Sequence, residues 1–145
     1  RLVKLRIGIV LATDGGALPE FISPLRFGVA TILGSGRQVM SWIHIHDLCR
    51  LVLYAIGNNH MHGVYNAVAP YPVTNKQLVT TLARLKNGKA FLRLPVPAFL
   101  LRLILGGRSI EVLKSAAVSS RKTEAAGFHF EYERVENALA RLIGN

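Results

Sequence analysis

The stretch GSGRQVMSWIHIHDL, positions 34–48, holds two glycines, an arginine, the only tryptophan, two histidines and an aspartate. Three kinds of chemistry could use that set. Glycines ahead of a helix can cradle a phosphate on free backbone N–H groups. Here Gly34 and Gly36 precede RQVMSWIHI, which reads as a strand, so the arrangement is not that of a phosphate loop. A metal is the second option. His44 and His46 share one strand face, His60 and His62 form a second H-x-H, and Asp47 and Cys49 are further zinc-type donors. His46 and Asp47, however, sit at a strand-to-helix junction that needs no metal, and the second pair falls in a loop. No metal is expected, and His44 is expected to be a packed, hydrogen-bonded histidine.

The third option is contact with a substrate. Arg37 and Gln38, in the loop before the strand, are the first candidates. Arg6 lies in a strand that reads as buried. An unpaired buried charge is costly, so Arg6 should find a partner or reach a pocket mouth. Trp42 alternates with Ile43 and is expected either in the core or against a substrate. Gly15 and Gly16 end the first strand, where ligands of open α/β sheets bind; turn geometry explains them equally well.

The elements that must position these residues are legible in outline. LVKLRIGIVLA predicts a buried strand over 3–11, of the type found in parallel sheets. FISPLRFGVATILGSG reads as a long loop. After the strand RQVMSWIHI, Asp47 is a natural N-cap for LCRLVLYAI, with Leu48, Leu51, Val52, Ala55 and Ile56 as the apolar stripe. VYNAVA predicts a short strand. Thr74 and Gln77 stand at capping-box spacing, and Leu78, Leu82 and Leu85 form the buried face of the helix they open. AFLRLPV predicts a further strand. From Pro97 the pattern turns helical, through AFLLRLIL, RSIEVLKSAAVS and RKTEAA. FHFEY alternates like a strand, and RVENALARLI closes the chain as an amphipathic helix with Val135, Leu139, Leu142 and Ile143 inward. Strands alternating with helices predict an α/β fold, with residues 1–93 as one part and 94–145 as a small, mostly helical lobe.

Half of the 145 residues are hydrophobic and 18% are charged, which supplies a core and argues against disorder. No apolar run approaches the roughly 20 residues of a membrane span. The single cysteine, Cys49, leaves no internal disulfide and fits a reducing, cytoplasmic setting. The net charge of +10 comes from the first 110 residues, which hold 13 of the 18 basic residues but only Asp14, Glu20 and Asp47 among the acids. Those basic residues are scattered singly, so nucleic acid is not the expected partner. The chain opens on Arg1 inside a strand and reads as a piece of a longer protein.

Four segments carry a resemblance: LRIGIVLATDGGAL, GSGRQVMSWIHIHDL, GVYNAVAPYPVTNKQLVTTLAR, and the sequence from LPVPAFLL through EAAGFHFEY to ENALARLI. In that order they resemble the C-terminal half of an extended short-chain dehydrogenase/reductase. The branch is the NAD-dependent epimerase/dehydratase-like family, often labelled nucleoside-diphosphate-sugar epimerase, whose members end in a small domain of unknown function. The resemblance implies the C-terminal part of a Rossmann-like fold. It also implies NAD or NADP as cofactor of the full-length protein, with none expected on this piece alone. The partner it implies is a small-molecule substrate, anionic in one reading. A homo-oligomer formed through an exposed sheet edge is a further expectation.

The departures from the family are as informative. There is no G-x-G-x-x-G, and Tyr54, Tyr65, Tyr71 and Tyr132 are followed four positions on by Asn58, Ala69, Asn75 and Glu136, so the Tyr-x-x-x-Lys pair is missing. No catalytic residue is expected within these 145 residues. In the nucleotide-sugar epimerases that the segment resembles, Gly34, Gly36, Gln38, His44 and Asp47 have counterparts, but the arginine that grips the diphosphate falls on Met40. Arg37 is three residues away and faces the other side of an extended strand. A non-catalytic binding or regulatory module is the alternative, and a basic nucleic-acid-binding domain stands behind it.

Overall fold

The computed structural model describes residues 1–97 and 115–144. The first strand is broken in two. β1 (Val3–Ile7) pairs in parallel with β6 (Gly63–Ala67), placing Arg6 opposite Asn66. β2 (Ile9–Leu11) then pairs in parallel with β5 (Trp42–His44). Gly8 is the hinge between them: its N–H donates to Ala67 O at 3.2 Å, and the Ile9 N–H donates to Ser41 O at 2.9 Å. A Cβ on Gly8 would stand 2.6 Å from Ser41 O and 2.8 Å from Val68 Cγ1. The strand can change partners only because nothing projects there.

The stretch 21–36, expected as a loop, is built of regular elements. Pro19 sits at the first turn of α1 (Leu18–Leu25), where its missing N–H costs nothing, and Leu18 and Leu25 turn into the core. Pro24 lies in the last turn, so the helix ends rather than kinks. β3 (Val29–Leu33) buries Ala30 and Ile32 and pairs in parallel with β8 (Leu92–Val96). The short β4 (Val39–Met40) pairs antiparallel with β7 (Val73–Thr74).

α2 (Ile45–Gly57) links β5 to β6, and α3 (Asn75–Asn87) follows β7. The capping box is formed: the Gln77 N–H donates to Thr74 Oγ1 and the Thr74 N–H to Gln77 Oε1. Leu78 and Leu82 are buried, but Leu85 is 46% exposed, and Val79 and Ala83 complete the inner face instead. On α2 only Leu51 and Ala55 of the expected stripe are buried; Val52 and Ile56 are exposed.

The C-terminal part contributes α4 (Arg121–Ala125) and α5 (Val135–Ile143). Val135, Ala138 and Leu139 join Trp42, Leu78 and Leu82 in one core cluster, while Phe128 and Phe130 join Ile43, Leu51 and Tyr65 in another. FHFEY is not a strand. Its alternate aromatics point inward, but the Glu131 and Tyr132 N–H groups bond a carboxylate rather than a neighbouring strand. The helices expected over AFLLRLIL and the start of RSIEVLKSAAVS lie outside the described residues, and 115–119 is not helical.

Gly8→Ala is expected to lower the unfolding free energy by about 1–3 kcal/mol, the usual cost of forcing atoms into a filled site. Urea unfolding checks it, and an unchanged midpoint would contradict the close approach.

Candidate functional site

A cavity of about 660 Å³ opens beyond the carboxyl end of β1. Among its lining residues are Ile7, Gly8 and Ile9, Val39, Met40 and Ser41, Ala116 and Val118, and Phe21 of α1. Ser41 ties these segments together. Its backbone carbonyl accepts from Ile9, and its hydroxyl donates to Ala116 O at 2.7 Å and accepts from the Val118 N–H at 2.8 Å. The Val39 N–H donates to Ser115 Oγ and the Ala116 N–H to Val39 O, both at 2.9 Å. Residues 115–118 are thus strapped along 39–41. Behind the wall, Asn75 is fully buried; its Oδ1 accepts from the Leu33 N–H and its amide nitrogen lies 3.8 Å from Met40 Sδ.

Next to this cavity, the β5–α2 junction is organised by two polar side chains. His44, not Asp47, caps α2: its Nδ1 accepts the His46 N–H at 2.9 Å. The helix therefore starts three residues earlier than the Asp47 cap implied, and Asp47 falls inside the first turn. There its carboxylate is wholly buried and both of its oxygens accept hydrogen bonds. Oδ1 accepts from Arg50 at 2.7 Å and from the Glu131 N–H at 3.0 Å, and Oδ2 accepts from the Tyr132 N–H at 2.8 Å. The carboxylate does for residues 131–132 what a neighbouring strand would have done. Tyr132 stacks on His44, ring centroids 4.0 Å apart, and His46 pairs with Glu131 at 3.2 Å.

These contacts fix the protonation of His44. A ring that accepts at Nδ1 carries its proton on Nε2, and Nε2 is buried without a partner among the described residues. Burial pushes the His44 pKa below its usual 6.5, opposed by the negative charge of Asp47.

Comparison with known proteins places this geometry. Residues 96–142 match the domain of unknown function DUF1731. Over all 145 residues the chain is 39% identical to the epimerase family protein YfhF of Bacillus subtilis, covering 47% of that protein. It superimposes on the crystal structure of human epimerase family protein SDR39U1 with NADPH, with a TM-score of 0.91 and 35% identity, over 99% of this chain and 48% of that one. Over its whole length the chain is similar to the C-terminal half of proteins of the epimerase-like short-chain dehydrogenase/reductase family. Its fold is the C-terminal part of the Rossmann-like fold of that family. A nucleoside-diphosphate sugar epimerase from Corynebacterium glutamicum matches with a TM-score of 0.71 and 26% identity, over 99% of this chain and 26% of that one. The chain spans about half the length of the curated relatives it matches.

Within this epimerase-like frame, the structure brings none of the four substrate candidates to the cavity lining. Arg37 is exposed on a turn, its N–H bonded to Ser35 Oγ. Gln38 is 7% exposed and donates its amide to Leu33 O, bracing the turn. Trp42 is 0% exposed and its Nε1 donates to Tyr71 O at 2.9 Å, so it packs as core. Arg6 is exposed, because β1 pairs only with β6 among the described residues; the buried strand expected around it is open on one side. Gly16 has φ 72° where its N-terminal neighbours turn back, and a Cβ there would meet Val10 O. Among the described residues no three His, Cys, Asp or Glu side chains converge as a metal site.

Sequence reading missed Ser41, Asn75 and the strap 115–118. A lone hydroxyl inside the apolar run VMSWI was the available signal, since a buried hydroxyl must find partners.

Asp47→Ala is expected to cost about 2–4 kcal/mol, because two backbone N–H groups and Arg50 lose their acceptor together. Amide exchange at Glu131 and Tyr132 should accelerate; unchanged exchange there would contradict the clamp. For His44 the sign follows from a folded pKa below the unfolded one. The unfolded chain binds more protons just below pH 6.5, so stability contributed by the neutral ring is complete above that value and falls as pH drops toward the folded pKa. The pH dependence of unfolding should flatten in His44→Asn, which keeps a capping acceptor, and an unaltered slope would contradict the assignment.

Proposed function

We propose that this chain forms the substrate-side part of an NAD(P)-dependent, epimerase-like oxidoreductase of the relatives' length. Hydride would pass between a small-molecule substrate and a nicotinamide held largely by sequence outside these 145 residues. The observation that carries the reading is the cavity at the carboxyl end of β1, where open α/β sheets bind ligands, in a chain this similar to a protein solved with NADPH.

The residues at hand supply positioning. Gly8 brings the cavity lining against the backbone of Ser41. Ser41 and Val39 hold the strap, and Asp47 anchors the segment that leads into α5. Among the described residues none of the cavity-lining side chains is a general acid or base, and the sequence contains no Tyr-x-x-x-Lys pair. Proton transfer is therefore assigned to groups outside this chain. Residues 1–93 are assigned to the Rossmann-like part and 94–145 to the small domain. A cytoplasmic location accords with the single unpaired Cys49; no described helix is long and apolar enough to cross a membrane. An exposed sheet edge along β1 is where a second copy could pair.

Titration of the native protein with NADPH and with NADH, followed by reduced-nicotinamide fluorescence, tests the reading. Saturable binding in the range typical of enzyme ligands, about 1 μM to 1 mM, is expected for at least one. Binding of neither would overturn it and favour a non-catalytic module.

A further inference from the structure

The cavity that the proposed function assigns to substrate has a lining that selects against charge. Among the described residues its side chains are Ile7, Ile9, Phe21, Leu33, Val39, Met40 and smaller apolar groups, and the one polar side chain is Ser41, whose hydroxyl already donates to Ala116 O and accepts from Val118 N–H. No arginine, lysine or histidine lines it among the described residues. Arg37 and Arg6, which flank the lining segments 39–41 and 7–9, are exposed and not part of it. A diphosphate placed there would lose its hydration and meet no cation among the described residues. Burial of an ion on those terms is prohibitive, and phosphate sites are built from arginine forks, lysines or helix N-termini. The volume, about 660 Å³, suits a small organic ligand, whose pockets run from about 300 to 1,000 Å³.

From this lining we infer that the cavity takes an uncharged, predominantly apolar substrate moiety, not a nucleoside diphosphate. The inference rests on the cavity being the substrate site of the proposed enzyme. Met40 sets the class of ligand from one side. Its unbranched thioether adapts to irregular apolar surfaces, and Asn75 behind it holds it in place. The strap sets it from the other side through Ala116 and Val118. Because Ala116 is exposed where it meets the cavity, it can be enlarged without disturbing the core.

The test uses the native protein and two probes: N-phenyl-1-naphthylamine, which is uncharged and brightens in apolar surroundings, and UDP, which carries the diphosphate. Saturable fluorescence with the apolar probe is expected, unaffected by millimolar UDP. Ala116→Trp and Met40→Arg should each weaken it at least tenfold, while Met40→Leu retains it. NADPH binding should persist in every variant, which separates the two readings: loss of NADPH binding by the native protein counts against the enzyme assignment alone. The inference is overturned if UDP displaces the probe, if the native protein does not bind the probe, or if Ala116→Trp binds it as the native protein does.

Discussion

The structure depends on one close approach, that of the strand through Gly8 to the backbone of Ser41. With no side chain at position 8, the Ser41 carbonyl comes near enough to accept the Ile9 N–H at 2.9 Å. That contact lets a single strand pair first with β6 and then with β5. It also leaves the Ser41 hydroxyl free to reach the other way and hold residues 115–118. The cavity is the space enclosed by these three commitments. Its apolar character follows, because the polar groups along 39–41 are spent on the framework and only hydrocarbon and thioether surfaces remain to face a ligand.

A second constraint locks the frame from behind. The Asp47 carboxylate is buried with its acceptor capacity divided among Arg50, Glu131 and Tyr132. A buried carboxylate is tolerable when it is hydrogen-bonded in this way, and removing its partners would strand either a charge or orphan donors. His44 works beside it as the helix cap and as the platform for Tyr132. Together they join the β5–α2 turn to the C-terminal segment and place α5 against α3 and the shared core. The small C-terminal part is therefore structurally continuous with the sheet rather than tethered to it.

The α/β class, the parallel pairing of the first strand, the capping box at Thr74 and the closing helix were all legible in the sequence, because each has a local signature in periodicity or cap spacing. Local signatures also explain the failures. FISPLRFGVATILGSG carries prolines and glycines that suggest a loop, yet Pro19 is harmless in a first turn and Pro24 in a last one, so α1 forms. FHFEY has strand alternation without a strand, since its backbone partners come from a side chain 84 residues away at Glu131. Asp47 looked like a cap because aspartate often is one; the nearby His44 took that role, a choice decided by tertiary burial. For the candidate site, the sequence pointed to a bordering stretch but not to the residues that line the cavity. The stretch 34–48 does border the cavity, but through Met40 and Ser41, while Arg37, Gln38 and Trp42 hold the turn and the core.

Hydrogen exchange of the NADPH-saturated native protein, resolved by peptide and compared with and without saturating N-phenyl-1-naphthylamine, is the most direct measure of whether this cavity is the substrate side of a nicotinamide enzyme. Slower exchange is expected in peptides spanning 7–9 and 39–41, with little change around His60 on the far loop. Protection confined to other regions, with 7–9 and 39–41 exchanging as they do without the probe, would contradict the account.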